Sequence, residues 1–200
     1  MKTSTKPRPW LISALGMIVV GPVAQAASLG AGAGIASYHN QVTGTVVPLT
    51  FAPKSERYEL GLTWYSRQYQ TPPGGSGAQN LKTNLVPGQL VATFARRWLF
   101  LRDHRVQPLL AFGFAYLSAT PCSGEPDLPP PAPKGSVPVA CNYLLGTHLN
   151  FTEQGGVRIG LGERRDYHLE ITARHISNGG LDKLNRGQNA LQVVLNRQLK

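Results

Sequence analysis

Beyond residue 26 the apolar side chains of this chain recur at every second position, and the three-to-four spacing of an amphipathic helix is scarce. In one run Tyr58, Leu60, Leu62 and Trp64 alternate with Glu59, Gly61, Thr63 and Tyr65. In another, Leu110, Phe112, Phe114 and Tyr116 oppose the small residues Ala111, Gly113 and Ala115. A third sets Tyr167, Leu169, Ile171 and Ala173 against His168, Glu170, Thr172 and Arg174. A period of two is the geometry of a strand, whose successive side chains point to opposite faces of a sheet. The chain therefore reads as all-β. Eight runs are placed at about 28–39, 42–52, 56–69, 88–101, 106–119, 142–161, 167–177 and 188–199.

The connections between runs alternate in length. Short ones fall at 53–55, 102–105 and 162–166; longer ones fall at 70–87, 120–141 and 178–187, with a brief one near 40–41. Short turns at one end and long loops at the other, joining an even number of strands, are the plan of an outer-membrane barrel. The expected fold is an eight-stranded antiparallel transmembrane β-barrel spanning residues 27–200. Its apolar rows would face acyl chains, and its polar rows, with Glu170 and Arg174, would pair inside. A periplasmic β-sandwich or lipocalin-like binder of apolar ligands reverses the faces. Periodicity alone does not separate the two. Run 88–101 places Arg96 or Arg97 on the apolar row whichever way it turns.

Residues 1–26 read as a secretory signal peptide: Lys2, Lys6 and Arg8, an apolar stretch from Trp10 to Ala24, and "AQA" at 24–26. Removing them takes three of the 20 basic side chains and none of the 10 acidic ones, leaving a net charge of +7. In an exported protein that surplus points to anionic lipid headgroups or glycolipid phosphates rather than nucleic acid. Cys122 and Cys141 flank a proline-rich loop, and an even count in an oxidising compartment predicts a disulfide. Metal ligation is the alternative, although no histidine or carboxylate cluster stands at ligand spacing beside them.

Chemistry concentrates in "ARHISNGGLDKLNRGQNALQVVL" at 173–195. His175 and Ser177 fall on one strand face, with Cα atoms roughly 7 Å apart, so an imidazole is placed to take a serine proton. They share that face with Leu169, Ile171 and Ala173, the row assigned to lipid. A hairpin over 178–187 brings Asn189, in phase with Leu191, Val193 and Leu195, beside His175. "SNGG" at 177–180 supplies pliable backbone whose amides suit an oxyanion.

"HISNGGLDKLNRGQN" (175–189) resembles the signature of the lipid A 3-O-deacylase family, with H-x-S-N-x-G, then N-x-G, then a hairpin return. A weaker likeness runs through "LLGTHLNF" (144–151), where Phe151 matches an aromatic beside the family's site. The resemblance implies an outer-membrane barrel, free of metal and cofactor, that hydrolyses the 3-linked acyl ester of lipopolysaccharide lipid A. It assigns Ser177 as nucleophile and His175 as general base. Asn185 and the Gly180 backbone serve the oxyanion, Asn178 supports the site, and Phe151 lines the substrate groove. Lys183 and Arg186 are candidates for meeting lipid A phosphates. Two departures stand out. The family's acidic third residue falls on Asn189, and the chain ends "NRQLK" without the terminal aromatic of outer-membrane barrels. Asn189 leaves open a second reading, a catalytically silent family barrel that contacts lipopolysaccharide.

Overall fold

The computed structural model describes residues 27–38, 41–53, 55–70, 83–122, 141–182 and 185–199. The signal-peptide segment and Lys183 lie outside these residues. The described chain forms β1 (Ser28–Tyr38), β2 (Gln41–Ala52), β3 (Tyr58–Tyr65), β4 (Gln68–Gln70), β5 (Thr83–Val86) and β6 (Gln89–Leu99). Then come β7 (Val106–Leu117), β8 (Thr120–Pro121), β9 (Cys141–Asn142), β10 (Leu149–Leu161), β11 (Tyr167–Ser177) and β12 (Gln188–Gln198). Eight of them close into an antiparallel barrel in the order β1-β12-β11-β10-β7-β6-β3-β2. Because β1 pairs with both β12 and β2, the barrel leaves no open edge. The short strands form two accessory sheets, β4 with β5 and the parallel pair β8 with β9.

The alternation sorts the faces as the sequence predicts for a barrel. The apolar rows point outward: Leu62, Phe94, Phe112, Leu191 and their neighbours are among the exposed large hydrophobics. The polar rows point inward, which excludes the soluble sandwich. Arg97 is the inward member of its pair; Arg96 points out, its guanidinium 5.2 Å from the ring of Trp98. Trp98 lies at the short-turn end, the periplasmic side of an outer-membrane barrel, where long basic side chains can reach headgroups.

The interior has two storeys. In the middle and lower part Arg97 lies between Glu59 (3.1 Å) and Glu170 (2.5 Å), and Arg174 meets Glu59 (3.2 Å) and Gln154 (2.9 Å). Arg158 grips Glu56 through two bonds of 2.7 Å. Such charges are tolerable away from water only because each finds an opposite charge and hydrogen bonds. The outer end is apolar, closed by Tyr38, Val46, Tyr65, Leu85, Leu144, Leu145 and Ile176. Adjacent strands of the wall approach closely at glycine. A Cβ on Gly113 would sit 2.0 Å from the Phe94 carbonyl oxygen.

Two expected strands are shorter than the alternation indicates. Run 142–161 breaks into β9, a bend over 143–148 and β10, because Asn142 Oδ1 accepts from the Leu144 (2.8 Å) and Leu145 (3.2 Å) amides. That side-chain turn folds the segment inward and makes Leu144 and Leu145 part of the outer plug. Run 56–69 likewise breaks at Ser66–Arg67, where the Ser66 hydroxyl accepts from the Thr45 amide at 2.8 Å. The predicted disulfide is present: Cys122 and Cys141 are bonded, with Cα atoms 5.0 Å apart. It ties the β7–β10 connection at the outer end, where Thr120 pairs with Cys141.

Candidate active site

The β11–β12 hairpin carries the residues singled out from sequence, and its register decides what each one meets. Asn189 lies directly across from His175, and His175 Nδ1–H donates to Asn189 Oδ1 at 2.6 Å. An amide oxygen only accepts, so Nδ1 holds the ring proton and Nε2 is left with the basic lone pair. Ser177 follows two residues later on the same face, across from Phe151. The pair is not hydrogen-bonded among the described residues.

The return between the strands is knitted by asparagine side chains. Asn178, fully buried, donates its backbone N–H to Asn185 Oδ1 at 3.0 Å and accepts from the Gly180 N–H at 2.9 Å. Asn178 therefore ties the turn together. The Gly180 amide assigned to an oxyanion is engaged by Asn178 here, while the donor end of the Asn185 amide takes no part in its bond. Gly179, Gly180 and Gly187 all have positive φ, at 64°, 83° and 71°. At Gly187 the requirement is double, since a Cβ would stand 2.4 Å from His175 Cε1. The imidazole rests on that glycine, a role that reading N-x-G as a motif does not reveal.

Phe151, across from Ser177 on β10, packs against Phe112 and Phe114, with centroids 6.2 and 5.7 Å away. Arg186, the described member of the basic pair, reaches the Tyr38 hydroxyl at 3.5 Å. Beside the site a groove of about 880 Å³ runs along the outer surface, with Gly155 and Ala173 between Leu110, Phe112 and Leu191. His175, Asn189 and Glu153 line its outer end, and Trp98 and Phe100 its other end. Sequence reading missed Glu153. The available signal was its phase, since it alternates with Phe151 and Gly155 on the lipid-facing row of β10.

The arrangement is a polar row crossing an apolar belt. Ser37 pairs with Asn189, Asn189 with His175, and His175 with Glu153, so four strands contribute adjacent outward positions at one level. A closed eight-stranded barrel with apolar rows outside and a polar row crossing them has the architecture of an integral outer-membrane protein. The chain matches the family described as Lipid A 3-O-deacylase (PagL) over residues 43–198, and it belongs to that family. The crystal structure of the outer membrane enzyme PagL aligns at 16% identity with a TM-score of 0.51, covering 85% of this chain and 98% of that one. Neisserial surface protein A aligns at 11% identity and a TM-score of 0.47, covering 86% and 94%. The N-terminal barrel domain of Pseudomonas aeruginosa OprF aligns at 9% and 0.48, covering 86% and 96%. No curated protein sequence matches the chain.

Proposed function

We propose that this protein hydrolyses the ester-linked 3-O-acyl chain of lipid A in the outer leaflet through Ser177 and His175. The observation that carries the reading is the 2.6 Å bond from His175 to Asn189 on a lipid-facing strand face, two residues from Ser177. Held at Nδ1, the ring presents Nε2 as base. Ser177 Oγ gives its proton to Nε2 and attacks the ester carbonyl. The C–O bond to the sugar then breaks, and the departing sugar oxygen takes the proton back from the imidazolium. Water repeats the sequence on the acyl-serine, releasing the fatty acid and restoring the hydroxyl. The donor end of the Asn185 amide is suited to stabilise the oxyanion. The acyl chain fits the groove floored by Gly155 and Ala173, and Arg186 stands at the rim where lipid A phosphates lie.

Mass spectrometry of lipid A from cells making the wild type or Ser177→Ala tests this. Loss of one 3-linked acyl chain with the wild type alone is expected; identical lipid A in both overturns it. The second reading, a silent barrel that contacts lipopolysaccharide, is favoured by the amide at Asn189 and predicts that identical result.

A further inference from the structure

Outward-facing positions of the eight barrel strands are apolar with few exceptions. Among the described residues only three of them are charged: Arg96, Arg197 and Glu153. Arg96 and Arg197 lie near the periplasmic end, each over an aromatic ring (Trp98 at 5.2 Å, Tyr167 at 5.8 Å). That is where long basic side chains reach headgroups, so neither needs a further explanation. Glu153 is different. It lies four residues into β10 from the outer end, with Phe112 opposite it on β7 and Phe151 and Gly155 flanking it on its own face. A carboxylate held against acyl chains is costly, and one kept there calls for a functional account. Its remaining neighbour, directly across on β11, is His175.

We propose that Glu153 is the acidic positioning residue of this site, supplying across the β10–β11 pair the negative charge that Asn189 lacks. The inference rests on the deacylase reading. Side chains directly opposed in an antiparallel pair have Cβ atoms about 5 Å apart, so the carboxylate can lie alongside the imidazole without contesting the Nδ1 proton held by Asn189. The two duties that one acid performs in a serine triad are divided. Asn189 fixes the ring's orientation and tautomer, and Glu153 stabilises the imidazolium formed when Ser177 gives up its proton. No proton passes to Glu153 in this step. Little water screens the pair in the lipid belt, so the attraction is stronger than at an aqueous surface.

Other elements around His175 offer no substitute. The described face of β12 there carries Asn189 and Leu191, and Gly187 lies against the ring. Arg186 is turned to Tyr38, and Arg174 faces the interior, bonded to Glu59 and Gln154.

The test measures deacylation of lipid A in mixed micelles by the folded full-length barrel. Wild type is compared with Ser177→Ala, Glu153→Gln, Glu153→Asp, Glu153→Leu and the double variant Glu153→Gln/Asn189→Glu. Glu153→Gln should lower kcat by about 10- to 100-fold, the scale of one preorganised charge, with KM little changed. Glu153→Leu, apolar and suited to the belt, should show the same loss and stands in if the glutamine variant folds poorly. Glu153→Asp should keep most of the activity. Moving the carboxylate in the double variant should recover at least about tenfold over Glu153→Gln. Wild-type kcat in both neutral variants, beside an inactive Ser177→Ala, overturns the role of Glu153 and leaves the deacylase reading standing. A change confined to KM also overturns it, because it marks a substrate contact. Wild type no faster than Ser177→Ala overturns both.

Discussion

Inside the barrel, Arg97 is held between Glu59 and Glu170, and Arg174 by Glu59 with Gln154 and Thr63. On the outside, three strands from the same sheet present His175, whose one bonded partner is the neutral Asn189, and Glu153, which forms no ion pair among the described residues. The interior groups have settled every charge against a neighbour, and that rigid settlement holds the staves in register. In the proposed site the exterior groups keep capacity in reserve: an imidazole nitrogen, a hydroxyl and a carboxylate. Structural charges are satisfied in the resting fold, whereas reactive ones are arranged to be satisfied only as charge develops during a reaction. The same β11 carries both kinds, Glu170 and Arg174 on one face and His175 and Ser177 on the other.

That contrast can be broken at either surface. The largest expected effect is on the outside: Ser177→Ala should cut deacylation at least about a thousandfold, as removing a serine nucleophile does, and leave the gel shift between boiled and unboiled barrel intact. A variant that keeps its activity, or loses its folded band, would show that the exterior row is not a reactive site.

Arg97→Ala does the reverse. It strands Glu59 and Glu170 without their shared partner, and breaking a buried ion network typically costs about 3–5 kcal/mol. The unfolding midpoint in urea, followed by tryptophan fluorescence in lipid vesicles, should fall by a matching amount. Molecules that remain folded should keep wild-type turnover. A loss of turnover in the folded fraction would mean that the two surfaces are coupled.

Asn189→Ala sharpens the comparison within the exterior row. Freeing the imidazole from its 2.6 Å bond should lower kcat by about tenfold or more, with no measurable change in the urea midpoint. Asn189→Glu should match or exceed the wild type, since a carboxylate holds the ring and adds charge. Equal rates for all three side chains would remove position 189 from the site.

The smallest effect concerns Glu56, in the periplasmic turn before β3. Burial alone would raise its carboxyl, but the paired bonds and charge of Arg158 outweigh that and hold it below its ordinary value of 4.5. A carboxyl depressed in the folded state stabilises the barrel above its unfolded pKa, and that contribution drains away as pH falls through the folded value. The urea midpoint should therefore drop between about pH 5 and pH 3, with Glu56→Gln flattening part of that drop, on the order of 1 kcal/mol. An unchanged pH slope in the variant would show that the Arg158 pair adds no stability.

Much of this molecule is legible in its sequence. Alternation with a period of two is a local property, so it marks each stave and both of its faces. It grouped Tyr58, Leu60, Leu62 and Trp64 on one face, Glu170 and Arg174 on another, and His175 with Ser177 on the row of Leu169 and Ile171, leaving which row faces lipid to the closed fold. The glycine-rich return was enough to bring Asn189 opposite His175, because a hairpin's register follows from its length. Two kinds of fact were out of reach. The inward bend at Leu144 and Leu145 depends on a single side-chain turn at Asn142 and on an apolar plug assembled from several strands, neither of which disturbs the alternation. The neighbourhood of Glu153 depends on the β10–β11 register across the Leu161–Tyr167 turn, within a sheet that must also close β1 against β12. A strand's sequence states which way a side chain points. Which side chain it meets is decided when the barrel closes, because closure alone sets every strand's offset against the next.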